Sequence, residues 1–229
     1  MAQFDKARAL VARARERAIW IGDDHGDPHE AALLNRSIPV ELNLALKEIL
    51  DHLRSALDYV AHELCEAATG ARSAKPIYFP ITARGFSAVD FPSRVGKLMP
   101  GLLEKRPDLL AILERFQPYA SPENGWLADL ATLANHTKHV DLEVNEVSAA
   151  DVDVMLDEDG NTIIRTHKGD GSPLNLRSLM LVEGEFRPES PDCRFIYVSL
   201  APIQEELLGF LRAAIPGVQR IIDDIELAL

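Results

Sequence analysis

The stretch SIPVELNLALKEILDHLRSALDYVAHELCEAATG, residues 37–70, constrains the fold more than any other part of the chain. Leu42, Leu46, Ile49, Leu50, Leu53, Leu57, Val60 and Leu64 recur at steps of three and four, the spacing that puts side chains on one stripe of an α-helix. Ser37 is a candidate N-cap, Pro39 suits a first helical turn and Gly70 suits a C-terminal stop. At about 1.5 Å per residue, a helix over residues 38–69 would be roughly 45 Å long, longer than a small domain is wide. It is predicted to be a spine against which other helices bury their apolar faces.

The flanking segments supply those helices. MAQFDKARALVARARERAIW, residues 1–20, carries a thin stripe of Phe4, Leu10, Val11, Ala14 and Ala18 beside Lys6, Arg8, Arg13, Arg15 and Arg17. The stripe lacks the bulky anchors of a membrane-surface helix, so packing on the domain is expected. The segment also lacks the continuous apolar region of a signal peptide, and nowhere do about eighteen apolar residues run together, so no membrane contact is expected. GDDHGDPHE, residues 22–30, reads as a polar link. A proline-rich insertion, residues 71–106, allows a short extended piece and short helices but no long element. RPDLLAILERF (106–116) and SPENGWLADLATLANHTKH (121–139) read as helices, the second opened by Ser121 and Pro122 with Trp126, Leu127, Leu130, Leu133 and Ala134 inward.

From Val140 the period changes from helical to alternating. DLEVNEVSAADVDVML, NTIIRTHK, SLMLVEGEF and CRFIYVSL read as about four strands of one mainly antiparallel sheet, with a hairpin turn at DEDG. PIQEELLGFLRAAIPGVQRIIDDIELAL returns to helix, with Pro216 expected to break or kink it. The predicted fold is α+β: a helical bundle over 1–139, an antiparallel sheet over 140–200, and C-terminal helices over 201–229 that pack back, all as one structural domain.

Charge narrows the partners. A formal net charge of −12 over 229 residues gives an average field that repels phosphate backbones, so an extended nucleic-acid surface is disfavoured while a local basic pocket is not. Two cysteines, Cys65 and Cys193, form no disulfide framework and no CxxC pair, the usage of a chain in the reducing cytoplasm.

Two polar clusters stand out. Arg54, Asp58 and His62 are four apart on the spine, so each can reach the next. Asp58 could orient His62 for acid/base work with Arg54 holding an anion, or the three could be an exposed ion-pair ladder. Asn135, Lys138 and His139 share a face at the end of the 121–139 helix, bordering the apolar side marked by Ala131 and Ala134. Lys138 and His139 could equally just complement the helix dipole. His136 and His139 make an HxxH step, to which Asp58, His62, Asp141 or Glu143 could add a metal ligand. Without a fixed third ligand that spacing does not define a metal site, and no cofactor is expected. GDGS at 169–172 reads as a turn rather than a phosphate cradle.

LRSALDYVAHEL (53–64), FPI (79–81), QPY (117–119) and LATLANHTKH (130–139), in that order, resemble a group of uncharacterised bacterial and phage-associated proteins with LRxALD, FPI and LxxLxNxxKH elements. That resemblance brings no established activity. The helical portion also resembles HEPN domains, dimeric helical proteins that include metal-independent ribonucleases built on an arginine and a nearby histidine. Here Arg54 and His62 have seven residues between them, NHTKH carries Asn135 where an arginine is usual, and Val140 follows the final histidine.

The two clusters are expected to converge where the middle of the spine faces the end of the 121–139 helix. Arg54, Asn135 and Lys138 are the candidate ligand-binding residues, and His62, His139 and Asp58 the catalytic candidates. The leading expectation is a non-enzymatic binding module with a small polar pocket for an anionic small molecule or protein partner, self-associating as a homo-oligomer. The HEPN resemblance implies a metal-independent ribonuclease instead, with His62 or His139 as base and Arg54 or Lys138 on the phosphate. A divalent-metal hydrolase using the HxxH step is the third reading.

Overall fold

The computed structural model describes residues 2–22, 27–71, 75–135, 142–148, 151–156, 162–167, 173–176, 180–183 and 194–229. Among the described residues the chain is α+β. Its helices are α1 (Ala2–Gly22), α2 (Pro28–Asn35), α3 (Val40–Thr69), α4 (Phe91–Leu98), α5 (Leu102–Lys105), α6 (Asp108–Arg115), α7 (Gly125–Asn135) and α8 (Leu207–Glu226). Its strands are β1 (Leu142–Ser148), β2 (Asp153–Leu156), β3 (Thr162–His167), β4 (Pro173–Leu176), β5 (Met180–Glu183), β6 (Arg194–Leu200) and β7 (Glu205–Glu206). The chain divides into two compact units: Met1–Arg17 with Lys47–Thr137 and Ala213–Leu229, and Ala18–Leu46 with Lys138–Arg212. Helices α1, α3 and α8 each contribute residues to both. None of the described helices is long and apolar enough to cross a membrane.

In the first unit α3 is the spine. Every residue of its predicted stripe is buried, from Leu42 to Leu64. Gly70 ends the helix as predicted, at φ +72°, its N–H donating to the Glu66 carbonyl at 2.8 Å. Helix α1 lies antiparallel to α3. The Gln3 N–H donates to the Glu63 carboxylate at 3.2 Å, Lys6 sits 5.6 Å over the Tyr59 ring, and Arg17 pairs with Glu48 at 3.0 Å, so the contacts descend α3 as they ascend α1. Phe4, Ala7, Val11 and Ala14 form the buried face of α1, and Arg8 pairs with Asp223 and Glu226 of α8.

Helix α8 is one continuous helix, so the predicted break at Pro216 does not occur. Pro216 is exposed, while Ile215, Val218, Ile221, Ile222 and Ile225 carry a buried stripe past it. Gly217 matters more than its neighbour: a Cβ there would lie 2.3 Å from the Trp126 ring, so the missing side chain lets the indole of α7 lie against the α8 backbone.

In the second unit, residues 28–35 form a helix, whose first turn falls in the stretch 22–30 that reads as a polar link. The signal is DPHE: Asp27 caps α2 by accepting the Glu30 N–H at 2.6 Å, and Pro28 opens the first turn. Ser37 does not cap α3. Its N–H donates to the Ala32 carbonyl at 3.2 Å and closes α2 behind Arg36, whose φ is 50°, while α3 starts on the Pro39 carbonyl, which accepts the Leu42 N–H at 3.1 Å.

The strands form two antiparallel sheets instead of one. The first runs β1-β6-β5 with β7 also on β6, and the second runs β2-β3-β4. Ile164, Leu174 and Leu176 of the second sheet pack with Phe195 of the first, with Val147, Val152 and Tyr197 at the margin. Alternation records which side chains share a face but not which strand lies alongside, so one sheet and two short ones read alike. The DEDG and GDGS stretches lie outside the described residues.

Candidate functional site

The first unit contains a cavity of about 420 Å³, lined by Arg54 and Asp58 of α3, by Tyr78, Phe79 and Ile81, by Arg94 and Leu98 of α4, and by Ala131 and Asn135 of α7. Three of the predicted site residues, Arg54, Asp58 and Asn135, therefore line one hollow. Arg54 and Asp58 flank the buried stripe one turn apart and pair at 3.2 Å.

Residues 76–83 form neither helix nor strand, and besides the Tyr78 N–H donating to the Leu98 carbonyl at 3.4 Å, side chains hold this wall in place. Asp58 Oδ1 accepts the Phe79 N–H at 2.9 Å, and Arg54 donates to the Phe79 carbonyl at 3.4 Å. Gln117 is fully buried and uses its whole amide. Its Oε1 accepts from the Thr82 N–H at 3.1 Å and the Thr82 hydroxyl at 3.2 Å, while its Nε2 donates to the carbonyls of Pro80 at 2.9 Å and Leu113 at 3.0 Å. Arg84 then grips Asp129 of α7 at 3.2 and 2.6 Å, and a Cβ on Gly125 would stand 2.6 Å from its guanidinium. The LRSALD, FPI and QPY stretches thus meet around one short segment, with the asparagine of the fourth stretch on the same cavity.

Electrostatics give the cavity its character. Burial pushes the Asp58 carboxyl above its ordinary pKa, against the pull of Arg54, the Phe79 N–H and His62. Two guanidiniums against one carboxylate leave a net positive charge among the described lining residues, in a chain of net charge −12. Arg94 sits 5.8 Å from the Phe86 ring and makes no hydrogen bond or ion pair among the described residues. The Asn135 amide and the Tyr78 hydroxyl are likewise uncommitted there, and both residues are exposed.

The remaining predicted residues fall elsewhere. His62 lies one turn beyond Asp58, half-buried, and does not line the cavity. No hydrogen bond or ion pair joins it to Asp58, whose Oδ1 takes the Phe79 N–H and the Arg54 guanidinium. Asn135 is exposed at the end of α7, on the face it shares with Ala131. His136, Lys138, His139 and Asp141 lie outside the described residues, and Glu143 belongs to the other unit. Among the described residues no group of three His, Cys, Asp or Glu side chains is placed to hold a metal ion. Burial pushes the Cys65 thiol up to about 11, which leaves it protonated and unsuited to act as a nucleophile.

Sequence reasoning missed Arg94, Tyr78 and Gln117. The signals for Gln117 were its place in the QPY stretch and a glutamine wedged between Phe116 and Pro118 after an apolar helix; Arg94 carried none. Compared with protein-family models, with curated proteins and with solved structures, the chain finds no match.

Proposed function

We propose that the protein is a binding module, and that its cavity beside α3 takes a small molecule with an anionic head and a short apolar body. Arg54 and Arg94 supply the charge, Asn135 and the Tyr78 hydroxyl orient the head, and Ile81, Leu98 and Ala131 receive the body. The observation that carries this reading is the Arg94 guanidinium, whose donors have no carboxylate partner among the described residues although acidic groups outnumber basic ones in the chain. Asp58 does not cancel it, being engaged by Arg54 and Phe79. The ribonuclease and metal-hydrolase readings rest on His62, which does not line the cavity, and on His136 and His139, which lie outside the described residues.

Calorimetric titration with phenyl phosphate, using phenol as the uncharged control, tests the reading. Wild type should bind phenyl phosphate and ignore phenol. Arg94→Ala should weaken binding by about ten- to a hundredfold, the loss of one or two charge-assisted hydrogen bonds, with no change in melting temperature. Asn135→Ala should weaken it less while unfolding stays cooperative. Equal binding by wild type and Arg94→Ala, or none by either, would overturn the proposal.

A further inference from the structure

A second cavity, of about 360 Å³, lies in the strand-bearing unit. It begins with strand parity. Glu143 and Asn145 are two apart on β1, Tyr197 and Ser199 two apart on β6, and the register sets Glu143 opposite Ser199 and Asn145 opposite Tyr197. Four polar side chains therefore make a two-by-two grid on one face of one strand pair, and all four line the cavity. Further along the same face, Val147 opposite Phe195 joins the apolar cluster with Ile164, Leu174 and Leu176. The face turns from dry to polar within a single strand pair. Leu142, Val198 and Leu200, on the opposite face, are buried in the ordinary way.

The grid is organised. Asn145 Nδ2 donates to Ser199 Oγ at 2.6 Å across the grid, and Ser199 is buried. Having accepted that bond, the serine hydroxyl keeps its own proton to donate, and the Asn145 carbonyl keeps its capacity to accept. Tyr197 is half-buried, and burial raises its phenol pKa, so its hydroxyl stays neutral, able both to donate and to accept. Among the described residues, His167 from β3 and Gln204 from the turn before β7 add to the polar lining, and Leu174 adds an apolar side chain beside the tyrosine.

Among the described residues the lining contains no lysine or arginine, and its one carboxylate belongs to Glu143. An anion would meet that carboxylate with no guanidinium or ammonium among the described lining residues to offset it. An ammonium ligand has donors only, and would offer no acceptor to the Ser199 hydroxyl or the Gln204 amide. A ligand bearing several neutral hydroxyls, each both donor and acceptor, answers all of them. Neighbouring hydroxyls can share the Glu143 carboxylate, and the C–H face of a ring can lie against Tyr197 and Leu174. We propose that this cleft binds a neutral polyhydroxylated ligand of the sugar class, independently of the anion cavity in the other unit.

The test is saturation-transfer NMR on the full chain with glucose, galactose, mannose, ribose and maltose as probes and putrescine as the cationic counter-probe. At least one sugar should receive saturation. That signal should weaken about tenfold in affinity in Glu143→Gln and in Asn145→Ala, the loss of about one good hydrogen bond, and should be unchanged in Arg94→Ala. Glu143 is exposed and glutamine has its shape, so this variant carries the test if Asn145→Ala fails to fold. No transfer to any sugar, transfer that survives Glu143→Gln undiminished, or transfer to putrescine alone overturns the proposal.

Discussion

The cavity beside α3 and the cleft on the β1–β6 face enclose about 420 and about 360 Å³, yet they are held together by different means. The first draws its lining from α3, α4, α7 and the irregular segment 76–83, and that segment keeps its place largely through the side chains of Asp58 and Gln117, with Asp129 holding Arg84 just beyond its end. The second draws half its described lining from adjacent positions of one strand pair, whose spacing is set by the backbone ladder. A site walled by an irregular segment should fail when an anchor is removed. A site on a ladder should lose only the contact that is deleted.

Gln117→Leu is the severest way to try that contrast. Leucine leaves the Thr82 N–H and hydroxyl and the Pro80 and Leu113 carbonyls without their partner in a buried place. The expected cost is about 3 to 5 kcal/mol in urea denaturation, since each unsatisfied buried group costs about 1 to 3 kcal/mol and neighbours relax in part. Phenyl phosphate binding should be lost, while sugar signals persist under conditions where the protein stays folded. A cost below about 1 kcal/mol, at the level of a single net hydrogen bond, would mean that the segment needs no clamp.

Gly217→Ala asks whether the frame behind the first cavity is as tightly fitted as its wall. The added methyl meets the Trp126 ring and α8 backbone cannot move away without disturbing its buried stripe, so a loss of about 2 to 3 kcal/mol is expected. The same substitution in a Trp126→Leu background should cost well under half as much, because the clashing ring is gone. Equal losses in the two backgrounds would locate the strain elsewhere in α8.

This contrast also explains what could be read in advance. Helix α3 was legible because thirty residues of unbroken period leave no other structure for Leu42 to Leu64. The meeting of Arg54, Asp58 and Asn135 on one cavity followed from placing the spine against α7, with Asn135 on the face it shares with Ala131. Arg94 was not legible, because α4 has eight residues inside a proline-rich passage and nothing local says which neighbour it faces. The Glu143, Asn145, Tyr197 and Ser199 grid was invisible for a different reason. Each strand discloses its own parity, but the pairing of β1 with a strand some fifty residues away is a tertiary fact.

The smallest effect expected separates the two units by the sign of a pH slope. His29 is buried in the second unit with no hydrogen-bond partner on Nε2, and burial lowers its pKa, with Asp27 opposing and Arg212 assisting. Above its ordinary value of 6.5 the imidazole is neutral whether the chain is folded or unfolded. As pH falls below that value the unfolded chain takes the proton first, so stability is lost towards the folded pKa. Asp58 in the first unit behaves oppositely: its folded pKa lies above its ordinary 3.8, so over that interval the folded state holds the proton and its contribution grows as pH falls. Denaturation of wild type at about pH 7, 6 and 5 should therefore show an acid loss in the window just below the ordinary histidine pKa. His29→Leu should flatten that loss, and Asp58→Asn should leave it in place while removing the gain further into acid. If His29→Leu keeps the full wild-type slope, the imidazole is not the group being protonated on unfolding, and the two units do not differ in the way their buried titratable groups require.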